Sequence, residues 1–452
     1  MSSSDKKLLL IQPSQIDSDG NIKKDKTSFL PRLALPQIAA LTPDNYKITI
    51  IDEYLEDIDF NSDADLIGIS ATTPQAPRAY QISKEFRYRG KKVILGGMHA
   101  SLIPEEAKYH ADSIIIGEAE NLWDKVLEDF ENNNLKPVYK NSPDNLDILH
   151  IPSPRLDKLK LDKYEFPFRP VQTTRGCPHN CDYCSVTNFF GKSYRYRSID
   201  DIVREVQGLD SKYVMFVDDN IAANPKRAKQ LFKAITPLKI NWTSQSTMAV
   251  AYDEELLELA QESGCANLMM GLESISAQSL ATVNKSFNKV DDYHFMVERL
   301  HKHNITVLAF MIFGFDTDDE TIFERTAKFT EDLKIDFPVY WILTPLPGTP
   351  FYHRMEAEGR IIERDWSKYD CTNVVFKPKL MSPETLQEGY YYACKRGYSF
   401  KNMMKKLTYP TGFSIVKHLW EFIPYFIRQH YKFNRKLLPH NLFLNDYQED
   451  KS

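Results

Sequence analysis

From Lys7 to Ile116 the chain alternates short apolar runs with longer stretches of mixed character. The runs Lys7–Gln12, Lys47–Asp52, Asp65–Ser70, Lys92–Leu95 and Ser113–Ile116 are too short for helices and too continuously apolar for half-buried strands. Gln75–Arg89 and Leu122–Asn132, between and after them, read as helices. Buried strands separated by helices predict a parallel sheet covered on both faces, with ligands outside the carboxyl ends of the strands. The rhythm resumes with strands over Pro170–Thr174, Tyr213–Asp218, Ile240–Ser246, Asn267–Leu272, Ile305–Phe313 and Pro338–Leu343. Helices over Ile199–Leu209, Pro225–Ile235, Asp253–Ser263, Asp291–His303 and Asp319–Leu333 follow the first five. Units of roughly 30 residues predict a partial (β/α)6 barrel with its reactive face at the strands' carboxyl ends. Beyond Trp366 the rhythm stops. The pattern therefore predicts an α/β protein: a Rossmann-like domain over 1–140, a linker over 141–168, a TIM-type partial barrel over 169–365 and a mainly helical region over 366–452.

Chemistry concentrates after the first barrel strand, where Cys177, Cys181 and Cys184 fall within eight residues and Tyr183 precedes the last. Structural zinc takes four closing ligands, and His179 is the only local fourth candidate. A four-iron cluster with three Cys thiolates leaves one iron open. A disulfide framework does not suit six cysteines in 452 residues. The other three, Cys265, Cys371 and Cys394, are scattered singly and read as ordinary thiols.

In the first third, Ser70-Ala71-Thr72 ends the third strand, Gly96-Gly97 followed by His99 ends the fourth, and Gly117-Glu118 ends the fifth. Glycines there admit a ligand close to the backbone, and hydroxyls supply hydrogen bonds.

The cysteine spacing with its aromatic resembles that of radical S-adenosylmethionine enzymes, and the first third resembles a cobalamin-binding domain. Together they resemble the cobalamin-dependent radical S-adenosylmethionine methylases over residues 7 to about 370. The resemblance implies a 4Fe-4S cluster on Cys177, Cys181 and Cys184, with S-adenosylmethionine on the fourth iron. It implies contacts to that cofactor from Tyr183, Asp218, Asp219, Ser244, Gln245, Glu273 and Gly314. It also implies a cobalamin cavity lined by Ser70, Thr72, Gly96, Gly97, His99, Gly117 and Glu118. The Asp-x-His-x-x-Gly loop whose His ligates cobalt is replaced by Gln12-Pro13-Ser14-Gln15, so cobalamin is expected without that ligand. His99 could substitute for it, or hydrogen-bond within the glycine loop. No cysteine precedes Cys177, which excludes the methylthiotransferase relatives.

Between Lys395 and His440 there are ten Lys and Arg against Glu421 alone, interleaved with apolar residues at helical spacing. This basic segment can pack on the barrel as a lid, lie on an anionic membrane, or stack RNA bases. The amino terminus is too polar for a signal peptide and no apolar run reaches spanning length. A cytoplasmic enzyme, peripheral on the inner face of the membrane if the basic segment binds there, is the expectation.

The function expected from the resemblance is radical methylation of an unactivated carbon in a lipid or other hydrophobic small molecule. Oxidative cyclisation or rearrangement with the same cofactors is the alternative, and a non-catalytic cobalamin sensor or carrier a third. A flavodoxin, ferredoxin or reductase would donate electrons, and no DNA partner is expected.

Overall fold

The computed structural model describes residues 6–17, 19–24, 30–141, 146–406, 408–409 and 411. Most of the basic segment expected at 395–440 lies outside them.

The first sheet is built from β1 (Lys6–Gln12), β2 (Tyr46–Asp52), β3 (Leu66–Ser70), β4 (Lys92–Gly96), β5 (Ser113–Ile116) and β6 (Val138–Lys140). All pairings are parallel, in the order β2-β1-β3-β4-β5-β6. Helices α1 (Ala34–Leu41), α2 (Ala76–Tyr88), α3 (Met98–Leu102), α4 (Pro104–Ala107) and α5 (Trp123–Glu131) complete the unit. Two cores form because successive strand side chains go to opposite faces. Leu9, Ile11, Ile67, Ile69, Val93 and Leu95 pack with Ile82 and Phe86 of α2, while Leu8, Leu10, Leu66 and Ile94 pack with Trp123 and Leu127 of α5. The order reverses at β1, and a crevice opens there.

The linker is held rather than slack. Gln37 Nε2 donates to Pro152 O at 3.1 Å, and Tyr164 Oη donates to Asp52 Oδ2 at 3.0 Å.

The second unit contains β7 (Arg169–Val171), β8 (Thr174–Arg175), α6 (Val186–Phe190), β9 (Arg195–Tyr196), α7 (Ile199–Gln207), β10 (Tyr213–Phe216), α8 (Pro225–Ile235), β11 (Asn241–Ser246), α9 (Glu254–Glu262), β12 (Cys265–Glu273), α10 (Ala277–Ala281), α11 (Tyr293–Lys302), β13 (Thr306–Phe313), α12 (Ile322–Asp332) and β14 (Phe337–Ile342). Six strands form an open parallel sheet in the order β14-β13-β12-β11-β10-β7, a partial barrel. The strand expected over Pro170–Thr174 is split. Asp218 Oδ1 accepts the N–H groups of Thr173 and Thr174 at 2.7 and 2.9 Å, taking the place of ladder bonds. Thr174–Arg175 then leaves the sheet and pairs antiparallel with Arg195–Tyr196, so the cysteine loop sits inside a hairpin.

Register sorts the barrel side chains. Phe216, Ser244, Leu268 and Val307 align on one face, each 1% exposed or less, under the helices. Met215, Thr243, Gln245, Met269, Leu308, Phe310 and Val339 occupy the other, inner face, with Trp341.

After β14 come α13 (Pro350–Ala357), α14 (Pro383–Gly397) and α15 (Phe400–Lys406). α14 packs on α12 and β14. It lies close because Gly389 and Gly397 lack side chains: a Cβ on them would come 2.2 Å from Phe323 and 2.8 Å from Tyr340. Trp366 Nε1 donates to Glu106 of α4 at 3.0 Å, tying this region to the first domain.

At the end of β13, Asp318 accepts from the N–H groups of Gly314 and Phe315 and from Ser279 Oγ at 3.0–3.1 Å. Burial nevertheless pushes its carboxyl from 3.8 up to about 6. The native state therefore holds a proton in that window that the unfolded chain has released. Its stability contribution falls as pH rises from about 4 to about 6 and is level above. Asp318→Asn is expected to flatten the dependence of the thermal midpoint on pH across that window, measured by differential scanning calorimetry.

Candidate active site

The cysteine loop is fastened through Asp182 to two neighbouring segments. Asp182 N donates to Val283 O at 3.2 Å, Phe351 N donates to Asp182 O at 3.0 Å, and Asn284 Nδ2 donates to Asp182 Oδ1 at 2.5 Å. Gly176 enters it at φ +86, where a Cβ would strike Ser193 O at 2.5 Å. Burial raises all three thiols, Cys181 to about 11 and Cys184 to about 12. Such thiols become thiolates when a metal takes the place of the proton. His179 stacks on Phe287 with ring centroids 3.8 Å apart and does not complete a zinc set. Among the described residues no three His, Cys, Asp or Glu converge to hold one metal ion. A cluster asks for something else, one thiolate at each of three irons.

Lys285, which no sequence motif marks, lies beside the loop. Its Nζ is 2.6 Å from Glu273 Oε1 and 3.3 Å from Tyr183 Oη, with the side chain 11% exposed. A Cβ on Gly271 would meet both Glu273 Oε1 and Lys285 Nζ, at 2.4 and 2.9 Å. Glu273, at φ +68, is thus committed to an ion pair. The only signal of Lys285 in the sequence is a Lys twelve residues after an acid at a strand end.

Other expected contacts separate into facing and non-facing groups. Asp219 is half-buried beside the loop, where burial and the neighbouring Asp218 push it up to about 6. Gln245 lies on the inner face by register. Asn220, outside the expected set, is 1% exposed, and its Oδ1 has no hydrogen-bond partner among the described residues. Ser244 corrects the expectation. It belongs to the helix-covered face, where its Oγ donates to Phe216 O at 2.8 Å. Asp218 is fully buried and spent on Thr173 and Thr174. Gly314 (φ +104) is backed by Leu386, which a Cβ there would meet at 2.9 Å.

At the carboxyl end of the first sheet lies a cavity of about 210 Å³. Ser70, Gly96, Gly97, Gly117 and Glu118 line it, over an apolar floor of Leu10, Ile69, Ile94 and Trp123. A Cβ on Gly96 would meet nothing within 4 Å, so the absent side chain leaves the cavity open. Ser101 Oγ donates to Gly97 O at 2.8 Å and accepts from Gly117 N at 2.9 Å, joining the two rim loops. Thr72 and His99 do not line the cavity. Thr72 Oγ1 donates to Gln75 Oε1 at 2.8 Å, and His99 Nε2 lies 2.9 Å from Tyr80 Oη. Glu118 reaches the rim but is bound to Arg175 and Arg195, each at 2.6 Å. The cavity's far wall is Gln172, Arg175, Phe189 and Phe190, which belong to or flank the cysteine loop. The two sites share a wall.

A glycine-lined slot on a doubly wound sheet thus faces a three-cysteine loop on a partial barrel across a shared wall. Three family models match in succession: B12 binding domain over 30–127, Radical SAM superfamily over 171–330 and a domain of unknown function over 349–411. The chain is 34% identical over 416 residues to bacteriochlorophyllide d C-12(1)-methyltransferase of Chlorobaculum tepidum, covering 89% of each. It is 31% identical over 450 residues to the C-8(2)-methyltransferase of that organism, covering 94% of this chain and 98% of the other. The structure of the radical S-adenosylmethionine methyltransferase TsrM from Kitasatospora setae, with cobalamin and a [4Fe-4S] cluster bound, aligns with a TM-score of 0.63 at 15% identity, over 85% of this chain and 82% of that one. The chain belongs to the cobalamin-dependent radical S-adenosylmethionine methylase family. Its cofactors are a 4Fe-4S cluster, S-adenosylmethionine and cobalamin. The buried raised thiols, the orphaned Asn220 oxygen and the open space over Gly96 fit that set.

Proposed function

We propose that this enzyme methylates an unactivated carbon of a large hydrophobic substrate held against the inner face of the barrel. The observation that carries the reading is that inner face. Met215, Met269, Leu308, Phe310 and Val339 line it, and Phe310 stacks on Trp341 with centroids 4.6 Å apart, leaving Trp341 37% exposed. Aromatic walls of this kind suit flat or polycyclic ligands. The names of the two Chlorobaculum relatives support methylation of such a molecule.

When bound, the cofactors supply one-electron cleavage of a sulfonium and transfer of a methyl group. The protein's part is holding and shielding. Cys177, Cys181 and Cys184 would hold three irons of the cluster. The Lys285 ammonium, held by Glu273, would face the methionyl carboxylate, while Asp219, Gln245 and Asn220 Oδ1 would accept from the amino group and ribose hydroxyls. Ser70, Gly96 and Gly97 would hold the nucleotide tail of cobalamin, and Gln12-Pro13-Ser14-Gln15 would offer it no His ligand. Phe189 and Phe190 exclude water between the two sites. An external one-electron donor of the flavodoxin or ferredoxin kind completes the reaction.

Incubation of the reconstituted enzyme with methyl-deuterated S-adenosylmethionine and extracted tetrapyrroles and lipids tests the reading by mass spectrometry. A product carrying the three-deuterium methyl group is expected. A product that is oxidised or cyclised without label would replace methylation with the cyclase reading.

A further inference from the structure

Four buried charges join the cobalamin cavity to the cysteine loop. Arg175, two residues before Cys177, reaches Glu118 and Glu120 at 2.6 Å each. Arg195, its cross-strand partner in the β8–β9 hairpin, reaches the other oxygen of Glu118 at 2.6 Å. The four side chains are between 2% and 11% exposed. Glu118 follows Gly117, which Ser101 ties to Gly97, and Asn141 Nδ2 donates to Glu118 O at 3.0 Å. On one side the network is anchored to the cavity rim. On the other it grips both strands of the hairpin that encloses the three cysteines.

Two arginines and two glutamates balance in charge, so each ion is compensated only while all four stay in place. Removing one carboxylate strands a guanidinium away from water. Arg175 spans two carboxylates, Nη1 to Glu118 and Nη2 to Glu120, and charge-assisted hydrogen bonds from a planar guanidinium are directional. It therefore fixes orientation as well as distance. Beside it Phe189 and Phe190 reach the cavity wall, and Trp366 Nε1 donates to Glu106 farther off.

We propose that Glu118 and Arg175, with Arg195 and Glu120, are positioning residues that set the separation and tilt of cobalamin relative to the iron–sulfur cluster. They touch neither reacting atom. Their effect is to hold the two cofactors where a small displacement would cost much of the rate. The inference rests on the family's cofactors and is independent of which substrate is methylated.

The full chain, loaded with cluster and cobalamin and then reduced to the paramagnetic cluster and cob(II)alamin, provides the test. Pulsed electron paramagnetic resonance reads the distance distribution between the two spins, beside iron and corrinoid contents. Glu118→Gln keeps the shape and removes the charge. It is expected to retain both cofactors and to broaden the distribution, while Arg195→Lys, which keeps the charge and loses the planar guanidinium, falls between it and the parent. An unchanged distribution in Glu118→Gln would overturn the proposal. Loss of either cofactor from that variant would also overturn it, because Glu118 would then build a site rather than position one. Should Glu118→Gln fail to fold, Arg195→Lys is judged by the same two criteria.

Discussion

Cys181→Ala is expected to lose the visible absorption of the cluster and at least about 10²-fold of 5′-deoxyadenosine formation, since even partners outside the first ligand shell act on that scale. Cys181 is the middle cysteine of the three and is 9% exposed. Burial pushes its thiol up to about 11, and the carbonyl of the same residue accepts the N–H of Cys184 at 3.1 Å. Alanine leaves that backbone bond intact and removes only the sulfur. The loop should keep its course, and cobalamin content should stay near the parent value. Iron and sulfide analysis beside chromatography of the nucleoside products checks the result. A variant that keeps both absorption and turnover would move the cluster to other residues.

Gly97→Val is expected to produce the opposite pattern, cobalamin lost and iron retained. Gly97 sits at φ +88, in the left-handed region, where a side chain costs about 1–3 kcal/mol. Its Cβ would also come 2.8 Å from Ala71 N, Ala71 O and Ser70 Oγ, a collision with backbone that cannot yield as a flexible side chain would. Forcing it adds about 1–3 kcal/mol. The strain falls on the two loops that line the slot and leaves the cysteine hairpin untouched. Gly96→Ala separates space from strain, because its Cβ meets nothing within 4 Å and enters the cavity. It should fold normally and bind cobalamin less tightly. Corrinoid-to-iron ratios on the purified variants decide both, and a parental ratio in Gly97→Val would place cobalamin elsewhere.

Much of this is legible in the order of residues. Buried parallel strands declare themselves as uniform apolar runs, so the expected β2, β4, β5 and β10 to β14 lie within a few residues of their observed ends. The cysteines and glycines are legible because their chemistry depends on spacing along one loop. What the chain order hides is the commitment of a side chain to a distant partner. Glu118, Glu273 and Asp218 look alike as acids at strand ends. In three dimensions the first holds Arg175 and Arg195, the second holds Lys285, and the third replaces part of a strand ladder. Ser244 and Gln245 are neighbours, yet a strand sends them to opposite faces, and only the register with β10 and β12 tells which face is inside. The helix α1 escapes the pattern because eight almost uniformly apolar residues show no helical period, and the edge strand β6 because three residues show none.

The glycines of α14 fix how closely this helix covers the outside of the barrel. Leu386, Tyr390, Ala393 and Cys394 are each 2% exposed or less, so this helix cannot lift from α12 and β14 without baring a core. It is masonry rather than a door. Exchanging residues 383–397 for those of another family member would succeed only if glycines arrived opposite Phe323 and Tyr340. The helix and the barrel edge it covers are inherited as one piece.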